Sequence, residues 1–229
     1  MGVNIGAAFE VLYSPRKALE SVKDSANMRE GIILFVLFAV LGSIIGGILS
    51  FGMLGAIVTE KGASLAMDKW IIALVMDIII GAVFFVIVGF IIAKVAGAIG
   101  SKPANVERTI GLLGYTQVIP FVLGLIASVV IAVMGASIFS TSSLGVVIGT
   151  GLSFLGIVMV LGLLELIWML LVGGMAISIA NEVSWGAGMA AYIVGGLIIA
   201  AILFALVFAI VAAIGFTFMG AGMAGAGLF

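Results

Sequence analysis

Residues 188–219 read GMAAYIVGGLIIAAILFALVFAIVAAIGFTFM, a run with no charged side chain. The hydrocarbon core of a bilayer is about 30 Å thick and a helix rises about 1.5 Å per residue, so about 20 apolar residues cross it. This run is long enough, and four others share its character, at 31–58, 70–98, 109–135 and 149–180. In lipid every backbone polar group must be paired within its own segment, so near-continuous apolar runs read as helices. A membrane β-barrel would alternate instead. The sequence predicts an all-α polytopic integral membrane protein, a bundle of five transmembrane helices.

Composition agrees. The chain is 65% hydrophobic and 8% charged, against about 25% charged residues in a soluble domain. It has no cysteine and no histidine. Disulfides, thiolate nucleophiles, Ser-His-Asp relays and the usual zinc and haem sites are excluded. A formal charge of -1 gives no bulk attraction to nucleic acid. There is no P-loop and no paired-carboxylate motif, so the expectation is a non-enzyme without cofactor or metal.

The positive charges are lopsided. Arg16, Lys17, Lys23 and Arg29 precede the first span, and Lys94, Lys102 and Arg108 lie around the connection between the second and third. Lys61 and Lys69 alone separate the first and second spans, and nothing basic follows Arg108. Cytoplasmic loops hold the excess of Lys and Arg. The expected topology is therefore N-terminus inside and C-terminus outside, with a prokaryotic plasma membrane as the expected location. The first apolar run starts too far into the chain and is too long for a signal-peptide h-region, so it is read as an anchor. Lys94, near the inner end of its helix, is expected to snorkel.

Residues 1–30 form a segment of their own. Ile5, Ala8, Phe9 and Leu12 recur at helical spacing, Pro15 interrupts, and Arg16, Lys17 and Lys23 follow with Leu19 and Val22 interleaved. This pattern fits an amphipathic helix on the inner membrane surface. A short helix packed under the bundle and a partner-binding helix fit it too. At the other end, residues 220–229 are Gly/Ala-rich and are expected to be a flexible tail.

Several polar features interrupt the spans. Glu165 sits mid-way in the fourth, with Trp168 three residues later. Asp77 lies about two turns inside the second, near its outer interface. Tyr115, Thr116 and Gln117 precede Pro120, which removes a hydrogen bond to the Thr116 carbonyl and kinks the third span. An ionisable group at bilayer depth costs about 2.5–3.5 kcal/mol on insertion scales, so each needs an account. In one reading Glu165, Asp77, Tyr115, Thr116 and Gln117 line a wet crevice for an ion, a proton or a small ligand. In the plainer one Glu165 is protonated or paired and braces helices. Glycines four apart, Gly42 with Gly46 and Gly145 with Gly149, suit close helix approach.

Three stretches together resemble the Yip family, named for its Ypt/Rab-interacting members. They are Ala8–Ala18 with its Ser14-Pro15, Val106–Pro120 with its Gly114-Tyr115 pair and proline, and Ile167–Leu171 running to Asn181–Gly186. The resemblance implies a five-helix protein with its N-terminus inside. Eukaryotic relatives act in vesicle trafficking, associate with prenylated Rab-type GTPases and form complexes with one another. This chain lacks their long N-terminal region and is similar to the shorter prokaryotic members, so the trafficking role does not carry over. Tyr115, Pro120 and Trp168 carry the match, as fold determinants.

Two functions lead, ahead of an integral-membrane enzyme or an accessory subunit of a larger complex. One is a non-enzymatic membrane organiser or adaptor, whose partners are membrane lipids together with a second copy or another membrane protein. The other is a small transporter or channel subunit using a polar crevice around Glu165. The absence of an inverted repeat weighs against the second.

Overall fold

The structure, a computed structural model, describes the backbone of residues 2–54, 60–100, 102–139 and 144–225, and the side chains of 2–48, 70–100, 102–134, 152–153 and 155–212. Within these residues the chain forms eight helices: α1 (Ile5–Glu10), α2 (Pro15–Val22), α3 (Met28–Leu54), α4 (Glu60–Gly100), α5 (Val106–Thr116), α6 (Val118–Phe139), α7 (Leu144–Asn181) and α8 (Trp185–Gly225). Five segments are long and apolar enough to cross a membrane: Met28–Ile48, Trp70–Gly100, Val106–Met134, Leu155–Asn181 and Trp185–Ala212. The chain is an all-α integral membrane protein. The third crossing joins α5 to α6 across a break at Gln117.

Helix starts follow local chemistry. An asparagine side chain before α1, α3 and α5 accepts a backbone N–H three residues on: Asn4 from Ala7 (3.0 Å), Asn27 from Glu30 (3.1 Å) and Asn105 from Arg108 (3.1 Å). These caps satisfy donors that the first turn leaves free. They also explain why the first and third spans begin at Met28 and Val106 rather than at the first uninterrupted apolar residues, 31 and 109. Pro15, expected only as a breaker, is the first residue of α2, a place where its missing N–H costs nothing. α8 continues through 220–225, part of the stretch expected as a tail, while 226–229 lie outside the described residues.

The ends of α3, α4 and α5 beside Arg29, Lys94, Lys102 and Arg108 gather with α1, α2 and the α7–α8 turn; we call this the basic end. Here α3 and α5 cross with their backbones touching. A Cβ on Gly31 would overlap the Ile110 carbonyl, and one on Gly114 would overlap Gly31 itself. α7 and α8 cross in the same way, where a Cβ on Gly188 would overlap the Gly174 carbonyl. Among the described residues these are the tightest backbone approaches. A Cβ on Gly42 or Gly46 would meet only ordinary 3.6 Å contacts, with Phe121 and Ser128, and the surroundings of Gly145 and Gly149 lie outside the described residues.

The N-terminal segment packs against α5 and α7. It buries Ala7, Ala8, Val11, Ala18, Leu19 and Val22, and leaves Ile5, Phe9 and Tyr13 exposed, with Leu12 half-buried. Arg16 and Lys17 point to solvent, paired with Glu20 (2.8 Å) and Glu10 (2.9 Å); these hydrogen-bonded carboxylates raise both cations' pKa values. The Lys94 ammonium lies 5.4 Å from the Phe90 ring centroid.

Candidate functional site

The break between α5 and α6 opens a polar site. Pro120 has no N–H to give the Thr116 carbonyl. Just before it the backbone tightens, and the Gln117 N–H donates to the Gly114 carbonyl at 3.2 Å. That leaves the Leu113 carbonyl without its usual α-helical donor. Two side chains serve it instead, Thr116 Oγ1 at 2.8 Å and Gln117 Nε2 at 3.3 Å. The Gln117 amide is thereby held with its nitrogen on the backbone.

Beside this break lies a cavity of about 250 Å³, open on one side, between α3, α4 and α6. Asp77, Gln117 and Ser43 are its polar lining, with Phe35, Phe38, Phe121 and Pro120 among the apolar walls. Phe38 and Phe121 meet with ring centroids 5.2 Å apart, and Phe38 in turn receives Phe9 edge-on at 6.0 Å. An aromatic chain thus links the cavity to α1. The α3 wall, Phe35 to Ser43, is the middle of the first span. Asp77 therefore stands beside the middle of the described part of the first span. Its carboxylate is exposed and has no hydrogen-bond or ion-pair partner among the described residues.

The five residues expected to share one crevice do not. Asp77 and Gln117 meet in the cavity. Tyr115 and Thr116 are buried away from it. The Tyr115 hydroxyl faces the basic end, accepting from the Asn4 N–H and donating to Glu30 Oε2, both at 3.4 Å. Glu165 is half-buried on α7, does not line the cavity, and lies near Tyr192 of α8. Trp168 belongs to a separate apolar pocket of about 230 Å³ with Leu12, Ile119 and Val122.

Two polar arrangements escaped the sequence reading. Glu30 is 5% exposed at the start of α3; the spacing Asn27-x-x-Glu30 is a capping pattern that marks it. Asn181 is buried at the end of α7, where Nδ2 donates to Thr109 Oγ1 (2.9 Å) and the Ile177 carbonyl (3.1 Å), while Oδ1 accepts from the Asn105 N–H (2.9 Å). This clasp ties the α7–α8 turn to the start of α5. Its only sequence signal is two asparagines beside helix ends, which says nothing of their meeting.

Among the described residues no group of acidic side chains is arranged to hold a metal ion. Comparison with known proteins finds no family profile, no curated protein and no solved structure that matches the chain.

Proposed function

We propose that this chain is a non-enzymatic membrane adaptor of Yip-like type that takes a side chain of a partner transmembrane helix into the α3–α4–α6 cavity. The observation that carries the reading is Asp77, an exposed carboxylate beside the middle of the first span, with no partner among the described residues. Such a group is costly in lipid, by about 2.5–3.5 kcal/mol on insertion scales. A partner helix with a Lys, an Arg or a hydroxyl at that depth removes most of that cost, and interhelical polar contacts of this kind hold membrane assemblies together. Gln117 Oε1 and Ser43 add acceptor capacity, and the Phe121–Phe38–Phe9 contact links an occupied cavity to the N-terminal segment. In this reading the basic end faces the cytoplasm of a prokaryotic cell, as the Lys and Arg distribution favours.

The alternative, a transporter or channel subunit built around Glu165, has less support. Glu165 stands apart from Asp77 and Gln117, and Leu34, Tyr115 and Ile119 pack tightly on the basic-end side of the cavity.

The native chain has no cysteine, so Ala39→Cys gives a unique handle for a photocrosslinker in the cavity. The expected adduct in native membranes is a membrane protein captured through a helix carrying a basic or hydroxyl residue. Adding Asp77→Leu should lower its yield about tenfold, the scale of one charge-assisted hydrogen bond. Adducts to lipid alone, or a yield indifferent to Asp77, would overturn the proposal.

A further inference from the structure

We infer that the cleft between the N-terminal residues and the first turn of α3 binds a zwitterionic headgroup in which a primary ammonium sits beside a phosphodiester, as in phosphatidylethanolamine-type lipids. The cleft has a volume of about 560 Å³ and is lined by Gly2, Val3, Asp24, Ser25, Asn27, Arg29, Glu30 and Ile33. It is separate from the cavity at Asp77.

Its charges call for a ligand carrying both signs. Glu30 is buried, yet its one side-chain hydrogen bond is the long 3.4 Å contact from the Tyr115 hydroxyl, and no cation pairs with it among the described residues. A carboxylate this enclosed gains from a cation; its second oxygen is not sealed from solvent, and a ligand ammonium in the cleft supplies that cation. Asp24, exposed on the cleft wall, offers a second carboxylate. Arg29 is exposed and makes no ion pair among the described residues; its guanidinium suits a phosphodiester.

The neutral polar groups are already engaged. Asn27 Oδ1 accepts from the Glu30 N–H at 3.1 Å, Asn27 Nδ2 donates to the Ser25 carbonyl at 3.0 Å, and Ser25 Oγ donates to the Val22 carbonyl at 3.1 Å. The three charged side chains are left to choose the ligand. Depth points to a lipid. α3 enters the first span at Met28, so the cleft lies at headgroup level, and Met28 and Ile33, 38% and 42% exposed, offer apolar surface for acyl chains.

A trimethylammonium headgroup has no N–H to donate, and a glycerol headgroup has no cation, so the site discriminates against both. The test reconstitutes the full chain in nanodiscs of equal phosphatidylethanolamine, phosphatidylcholine and phosphatidylglycerol and reads retained lipid by native mass spectrometry. Phosphatidylethanolamine should be enriched about tenfold over phosphatidylcholine. Glu30→Gln and Arg29→Gln should each return retention to the bulk ratio. Arg29 is exposed and its side chain supports no other group among the described residues, so its variant reads the site even if Glu30→Gln folds poorly. Competition by excess soluble glycerophosphoethanolamine would show that the headgroup alone suffices; failure to compete, with enrichment intact, would show that the acyl chains are needed too. Both support the site. Retention at the bulk ratio in the wild type, or enrichment that survives Arg29→Gln, would overturn it.

Discussion

The basic end and the far half of the bundle have similar apolar content and opposite packing. At the basic end Leu34, Ile110, Leu112 and Ile177 are fully buried, and Tyr115 is 1% exposed. In the far half Ile72 is 66% exposed, Leu166 64% and Phe204 75%. Hydrophobicity does not separate the two regions. Small residues and short polar side chains do: Gly31, Gly114, Gly174 and Gly188 let backbones touch at the basic end, Asn4, Asn27 and Asn105 cap the helix starts there, and Asn181 pins the end of α7 to the start of α5. Lipid is as apolar as leucine, so apolar content alone gives helices no reason to pack. A membrane protein holds its shape where backbones come close and polar groups pair.

The largest test of that contrast is Gly114→Leu. The added atoms meet the Gly31 backbone, which cannot rotate aside. Overpacking of this kind costs about 1–3 kcal/mol, at the upper end where no side chain yields. Phe204→Leu, in the far half, should change stability by less than about 0.5 kcal/mol. Unfolding in mixed micelles, followed by the fluorescence of Trp185 near the α7–α8 crossing with Trp70 and Trp168 replaced by Phe, compares them. Equal losses would mean that the far half carries its own packing and that the contrast is false.

Asn181→Ala comes next. It leaves the Asn105 N–H without its 2.9 Å acceptor and removes a donor from Thr109. An unsatisfied buried group costs about 1–3 kcal/mol. The loss should appear as faster hydrogen exchange at the start of α5 and the end of α7, with exchange in α6 beyond Pro120 unchanged. Uniform acceleration would show that the clasp is no local device.

How much of this was legible follows the same division. Spans depend on local apolar length, and the break at Pro120 on one residue's missing N–H, so both could be read along the chain. Partnerships across the bundle could not. Gly42 and Gly46 show the expected spacing and make loose contacts, whereas Gly31 and Gly114 sit in different helices and meet through tertiary packing. Asp77 and Glu165 looked alike as lone acids in apolar runs. Helix rotation sets one in a cavity with Gln117 and the other near Tyr192, and rotation is not encoded in spacing when all faces are apolar. Glu30 went unnoticed because it looks like an ordinary first-turn acid, whose burial depends on Tyr115, distant in sequence.

The smallest effect separates two ways of holding the basic end. Glu182 has φ 53, a left-handed conformation that favours glycine. It closes α7, with the Val183 N–H on the Ser178 carbonyl at 3.1 Å. Its side chain lies 3.7 Å from Arg108 and is 73% exposed. A left-handed non-glycine residue costs about 1–2 kcal/mol, whereas an exposed pair at that distance contributes between about 0 and 1 kcal/mol. Glu182→Gly should therefore stabilise the protein, by up to about 1 kcal/mol. The Lys102 Nζ bond to the Glu182 carbonyl (3.0 Å) survives, since it uses backbone oxygen. Destabilisation instead would rank the Arg108 pair above the backbone strain. The basic end would then owe part of its order to charge, and its stability would fall with added salt, as the glycine and asparagine contacts alone would not.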